Sequence, residues 1–170
     1  MAVVREAQIG DARGMAIVHV RSWQVGYKEI MPKDVLDGLT IESREEGWVE
    51  RIAAGKFTIL VAEEQGAIQG WATFGSYRGD GAPENAGELY GIYVAPERYG
   101  TGIGSALWDA AMCRLRNDGY PVIYLWVLEA NARARRFYKG KGCAADGAEK
   151  PFAVGDVELR ALRYMRELVD

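Results

Sequence analysis

Leu89-Tyr90-Gly91-Ile92-Tyr93-Val94-Ala95-Pro96 runs directly into Glu97-Arg98-Tyr99-Gly100-Thr101-Gly102-Ile103-Gly104-Ser105. An apolar run of strand length meets a glycine-rich turn, and the turn opens an amphipathic helix. This is the layout of an anion site. Glycines at 100, 102 and 104 let successive backbone N–H groups face inward with no Cβ in the way of a ligand. A helix starting near Gly102 adds the unpaired donors of its first turn and the positive end of its dipole, which favours phosphate.

Spacing excludes two phosphate loops. A Walker A loop ends in Gly-Lys-Ser/Thr, and Gly102-Ile103-Gly104-Ser105 has no lysine. The dinucleotide fingerprint needs its third glycine three positions after the second, where this chain has Ser105. Glycines alone would equally serve a tight strand-to-helix turn that binds nothing. The next segment favours the anion site. After a helix from about Gly102 to Asn117 comes Pro121-Val122-Ile123-Tyr124-Leu125-Trp126-Val127-Leu128, a second continuous apolar run. Two such strands joined by one helix read as parallel neighbours covered on both faces. Asn131 then stands at a helix N-cap position, and Tyr138 follows two turns later on nearly the same face.

With these residues in place, the chain resembles the GNAT N-acetyltransferases. The resemblance rests on Tyr93-Val94-x-Pro96, the Gly100-x-Gly102-x-Gly104 turn, and Asn131 followed by Arg136-Phe137-Tyr138. It implies an α/β (α+β) fold: one N-acetyltransferase domain over 1–170, with a mixed central sheet and a parallel βαβα core flanked by helices. It also implies acetyl-CoA as cosubstrate, no metal, and an amine acceptor that is a small molecule or a peptide; it leaves homodimer assembly open. Carried over residue by residue, the amides of Tyr99, Gly100, Thr101, Gly102, Ile103 and Gly104, with Ser105 beside them, would hold the pyrophosphate. The backbone of Ile92, Tyr93 and Val94 would pair with the pantetheine arm and polarise the thioester carbonyl. Asn131 would hydrogen-bond the pantetheine, and Tyr138 would protonate the departing thiolate. Two positions depart from the family's habit. Tyr99 stands where Gln or Arg is common, which removes a polar side chain but no backbone donor. Lys141-Gly142-Cys143 replaces a frequent Leu-Gly-Phe.

Composition agrees. At 170 residues, 49% hydrophobic and 26% charged, the chain has the makeup of one soluble globular domain. Its net charge of −3, with no long basic tract, argues against nucleic acid. No apolar run approaches the length that spans a bilayer, and Met1–Glu6 lacks the apolar core of a signal peptide, so the cytoplasm is the expected compartment. Cys113 and Cys143 form no metal spacing or disulfide framework. Cys113 is read as packing and Cys143 as the more accessible thiol.

Around the central motifs the pattern predicts a strand at Val3–Ala7, a helix after Asp11 and a charged-and-apolar helix over Ile41–Ala54. A hairpin of Phe57–Ala62 and Ile68–Phe74 turns at Gln65-Gly66. The loop 78–85 is polar and expected to be exposed, and Val157–Tyr164 reads as a closing strand.

Acetyl transfer to an amine sets the chemical requirements. An alkyl ammonium of pKa about 10.4 is neutral roughly once in a few thousand molecules at pH 7, a deficit of about 4–5 kcal/mol. A base must therefore take a proton, directly or through water. A thiolate must also leave, and a phenol that stays protonated can supply its proton. Tyr138 suits the second task. For the first, Glu88 stands at the mouth of the central strand, where it is either a base or a charged strand end. His19, between Val18 and Val20, reads as a packed histidine. Trp23 and Tyr27 share a helix face and, with Trp126 on the later strand, are candidates for the acceptor wall or for core. Arg133, Arg135, Arg136, Lys139 and Lys141 begin beside the presumed phosphate turn, so one or two could meet a CoA phosphate. No nucleophile–base pair is recognisable, which favours direct attack by the amine. A non-catalytic acyl-CoA-binding or sensing module and an ATP- or NAD-binding domain are the competing readings.

Overall fold

A computed structural model describes residues 1–81 and 83–168; Ala82, within the predicted loop 78–85, and Val169 and Asp170 lie outside them. Seven stretches form strands β1 (Val3–Glu6), β2 (Thr58–Glu64), β3 (Ala67–Ser76), β4 (Gly87–Val94), β5 (Val122–Leu128), β6 (Ala144–Val154) and β7 (Val157–Glu167). Five stretches form helices α1 (Ala12–Gly26), α2 (Lys33–Asp37), α3 (Ile41–Ala54), α4 (Ile103–Asn117) and α5 (Ala132–Gly140). The strands make one mixed sheet in the order β1-β2-β3-β4-β5-β7-β6. Every neighbouring pair is antiparallel except β4 and β5. The α/β architecture expected from the sequence, with its βαβα core, is the one observed.

Local chemistry explains the boundaries. Thr40 caps α3 by accepting the Ser43 N–H at 3.3 Å, and Gly55 ends it in a left-handed conformation at φ 59°. Asn131 caps α5 by accepting the Ala134 N–H at 3.2 Å. The β2–β3 turn puts Gln65 and Gly66 both at positive φ, the combination that matches the twist of the flanking strands. Helix α4 buries Ile103, Leu107, Trp108, Ala111 and Leu115 at helical spacing against Phe74, Leu89, Ile123 and Leu125. On the opposite sheet face, α1 and α3 bury Met15, Ala16, Val18 and Trp48 against Val61 and Trp71.

The feature that shapes the molecule is a pairing that stops. β4 and β5 match only at Gly87 with Ile123, Glu88 with Tyr124 and Leu89 with Leu125. Beyond these three registers both strands continue, apart. On its other side β4 stays paired with β3, but the register slips so that Thr73 faces Gly91 while Phe74 faces Leu89, leaving Tyr90 as the extra residue of a bulge. A bulge bends its strand and raises the local twist, which carries the C-terminal half of β4 away from β5.

Two elements escaped the sequence pattern. Helix α2 is too short to show a period. β6 is an edge strand, largely exposed, with Pro151 inside it; an edge tolerates a proline because no neighbour needs its N–H.

Close packing of α4 on β3 gives a stability prediction. A Cβ at Gly70 would lie 2.9 Å from the Tyr93 carbonyl oxygen, 3.1 Å from Leu107 and 3.2 Å from Ile103. Gly70→Ala is therefore expected to lower unfolding free energy by about 1–3 kcal/mol, read as a lower urea midpoint at unchanged slope.

Candidate active site

The wedge between the diverging halves of β4 and β5 is the mouth of a cleft of about 620 Å³, the size of a small-molecule site. The phosphate-type turn, α5, the end of α1 and the β6–β7 hairpin all contribute to its lining, and Gly26 at the end of α1 lies close to Arg133 and Tyr99. All the residues expected at the site line it except Thr101 and Ile103. The Ile103 side chain is instead buried in the core under α4.

The turn itself is built as the glycines require, with one correction. Gly100 and Gly102 adopt φ 76° and 91°, conformations a side chain would strain. A Cβ at Gly104 would meet only ordinary contacts at 3.6 Å or beyond, so nothing within the protein demands glycine there. The expectation that every amide from Tyr99 to Gly104 faces a ligand does not hold. The Tyr99 N–H donates to the Pro96 carbonyl at 3.2 Å, and the Thr101 N–H and hydroxyl both donate to the Arg98 carbonyl, at 3.3 and 2.7 Å. Among the described residues, the N–H groups of Gly100, Gly102, Ile103, Gly104 and Ser105 find no intramolecular acceptor. They form a cradle of free donors. Arg133 adds its guanidinium at 3.7 Å over the Tyr99 ring, beside this cradle.

On the facing wall, Asn131 and Tyr138 both look into the cleft from α5. Tyr138 is buried among Trp108 and Phe137, and desolvation, with a smaller contribution from Tyr27, raises its pKa. It stays a proton donor at neutral pH. The Tyr27 and Tyr93 hydroxyls lie 3.2 Å apart in the same space, and burial raises both of their pKa values as well. Trp23 packs edge-on to Tyr27 with ring centres 5.1 Å apart. Its indole N–H and the Tyr99 hydroxyl are buried without a partner.

Glu88 sits at the inner end of the wedge, 4% exposed. Its surroundings are not only the apolar ones expected from sequence: it accepts the Arg78 N–H at 2.9 Å and the Arg78 guanidinium at 3.3 Å. That guanidinium in turn lies 3.7 Å over the Tyr90 ring. Sequence reading missed Arg78, and it missed Lys150 and Phe152, which reach the cleft from β6. One signal could have found the latter pair. Gly155-Asp156 is a two-residue turn in front of Val157, and it implies a strand before it. Trp126 lines the same end, with the Lys150 ammonium 4.2 Å over its ring.

The cysteine expectations reverse. Cys113 is exposed, while Cys143 is buried, and desolvation pushes its pKa up to about 12. Among the described residues no cluster of His, Cys, Asp and Glu could hold a metal ion, and no helix is long and apolar enough to cross a membrane.

Residues 19–143 match the Acetyltransferase (GNAT) family. The chain belongs to that family and is an N-acetyltransferase by descent. It is 37% identical over 131 residues to YuaI, an uncharacterized N-acetyltransferase of Bacillus subtilis, covering 77% of this chain and 74% of that one. The fold matches the PaiA N-acetyltransferase of Thermoplasma acidophilum, solved in complex with coenzyme A, at a TM-score of 0.79 and 19% identity, over 98% of this chain and 99% of that one. It also matches the acetyltransferase YncA of Salmonella typhimurium, solved with its cofactor acetyl-CoA, at a TM-score of 0.75 and 21% identity, over 100% of this chain and 95% of that one.

Behind the cleft wall, His19 is buried against Trp23, Trp48, Trp71 and Tyr93, and its Nδ1 has no partner. Desolvation, with Arg44 and Arg51 adding to it, lowers its pKa to about 4. In the unfolded chain it would protonate near 6.5. Between those values the unfolded state binds the extra proton, so stability falls as pH drops from about 6.5 towards 4. Denaturant titrations at pH 7 and pH 4.5 should show a loss of about 2–3 kcal/mol that His19→Gln does not reproduce.

Proposed function

We propose that the chain, acting as one N-acetyltransferase domain over residues 1–170, transfers an acetyl group from acetyl-CoA to a primary amine of a small molecule or peptide by direct attack. The observation that carries this reading is the wedge: β4 loses its β5 partner after Leu89, and the free edge points along a slot that ends at unpaired turn amides. An amide-bearing arm with a phosphate at its end matches both halves of that slot, because the strand edge takes amides and the turn takes the anion.

Acetyl-CoA supplies the activated acetyl thioester. The cradle of Gly100, Gly102, Ile103, Gly104 and Ser105 holds its phosphates, with Arg133 as a neighbouring charge. The edge of Ile92, Tyr93 and Val94 pairs with the arm and orients the carbonyl, and the Asn131 amide steadies the arm from α5. Tyr138 donates its proton to the sulfur as the C–S bond breaks. Glu88 receives the amine's proton through water, its charge held in place by Arg78. Trp23, Tyr27 and Trp126 wall the acceptor end.

Two substitutions test the assignment. Tyr138→Phe is expected to lower turnover about 10²-fold while acetyl-CoA affinity, measured by calorimetry, changes little; unchanged turnover would remove Tyr138 from the mechanism. Gly104→Ala separates stability from binding. An alanine favours the helix by about 1 kcal/mol and meets no clash, so the Tm should hold or rise. The same methyl group would sit near Phe137 and Val94, within the cleft lining beside the cradle, so the acetyl-CoA Kd should rise about tenfold or more.

A further inference from the structure

The acceptor end of the cleft has an unbalanced charge. Glu88 is the only carboxylate lining the cleft among the described residues, and both of its oxygens already accept from Arg78. Of the cations there, Arg78 is compensated by Glu88 and Arg98 by Glu64 at 2.5 Å. Arg133, which has no carboxylate partner among the described residues, lies over the Tyr99 ring beside the turn and the end of α1. Lys150 is the other cation without one. Its ammonium lies 4.2 Å over the Trp126 ring, and no carboxylate among the described residues lies within ion-pair distance of it. Its neighbour Glu149 is turned to Arg160 at 3.2 Å, and Glu129 is engaged by the same arginine. Trp126 lies directly under it, and the apolar residues Phe152, Met31 and Leu128 also line the cleft.

We infer that the acceptor is a single amine that carries a carboxylate on an apolar or aromatic frame, and that Lys150 holds the carboxylate. This rests on the acetyltransferase reading above. A polyamine or an aminoglycoside would bring several ammonium groups to an end of the cleft that has no uncompensated acid and one uncompensated ammonium, and like charges at contact distance repel. A carboxylate reverses the sign, because an N–H···O bond between two ionised groups is about twice as strong as a neutral one. Trp126 and Phe152 then flank the apolar frame, beside an exposed Lys150. In the transfer the amine nitrogen forms a bond to the acetyl carbon and the C–S bond breaks. The nitrogen loses one proton and the thiolate gains one, so the carboxylate and its partner Lys150 are unchanged by the step.

The test measures kcat/KM by thiol release at saturating acetyl-CoA. Phenylalanine, methionine and leucine are compared with their carboxylate-free counterparts phenethylamine, 3-(methylthio)propylamine and isoamylamine, and with spermidine and kanamycin. At least one amino acid is expected to exceed its counterpart and both polycations about tenfold or more. Lys150→Ala should collapse that preference about tenfold and Lys150→Arg should keep it. Four results overturn the inference: the best acceptor is spermidine or kanamycin, the amino acids match their counterparts, no amino acid reacts, or Lys150→Ala leaves the preference intact. Calorimetry with acetyl-CoA on the same protein tells the two readings apart. Binding of acetyl-CoA with a failed amino-acid series overturns the acceptor alone, and absence of binding overturns both.

Discussion

A parallel strand pair that stops after three residues is the constraint on which the rest of the structure depends. Such a gap is tolerable only because each strand is anchored elsewhere. β4 stays in register with β3 as far as Val94, and β5 is paired with β7 along its whole length. Helix α4 closes the sheet face beneath, with Leu107 and Trp108 fully buried. The backbone groups left unpaired on the inner edge of β4 therefore face a slot held open by rigid walls rather than a frayed strand. Unpaired peptide groups in a partly dry cleft are costly. A ligand with peptide-like groups would relieve that cost, and the proposed site takes the opening and the turn together.

The same wedge separates two proton tasks. Tyr27, Tyr93 and Tyr138 are all held protonated by burial, so the part of the cleft they line can donate protons. Among the described residues lining the cleft, the one carboxylate, Glu88, lies where β4 and β5 are still paired, at the opposite end of the β4 edge from the turn. Donor and acceptor are thereby kept from neutralising each other. The proposed direct attack would use that separation, the amine losing its proton on one side of the acetyl carbon while the sulfur gains one on the other.

What could be read from sequence follows what each signal measures. The glycine turn and the two apolar strands were legible because positive φ and double-sided burial leave compositional marks, at Gly100, Gly102 and the runs 89–94 and 122–128. The caps Thr40 and Asn131 lie at positions where polar residues precede a periodic segment; of these, Asn131 was read. Three features had no such mark. How far β4 and β5 pair is set by a bulge at Tyr90, a tertiary event invisible in an apolar run. Which amides of the turn are free depends on local hydrogen bonds from Tyr99 and Thr101, which a Gly-x-Gly-x-Gly spacing does not encode. β6 has no alternation because it packs little on either side, so Lys150 and Phe152, the residues it delivers to the cleft, were not anticipated.

The wall behind the acceptor shows how packing and chemistry are tied together here. His19, Trp48 and Trp71 press their rings against one another with three ring nitrogens left unpaired. Each unpaired buried donor or acceptor is destabilising by about 1–3 kcal/mol. The burial of large aromatic surface offsets this, and edge-to-face contacts such as Trp48 on Trp71, 4.5 Å between centres, add to it. The result is a stiff aromatic block that touches Tyr93 on one side and Trp23 on the other. Through those two contacts it fixes the Tyr27–Tyr93 hydroxyl pair, so the same block that supports α1 on the sheet sets the shape of this part of the cleft.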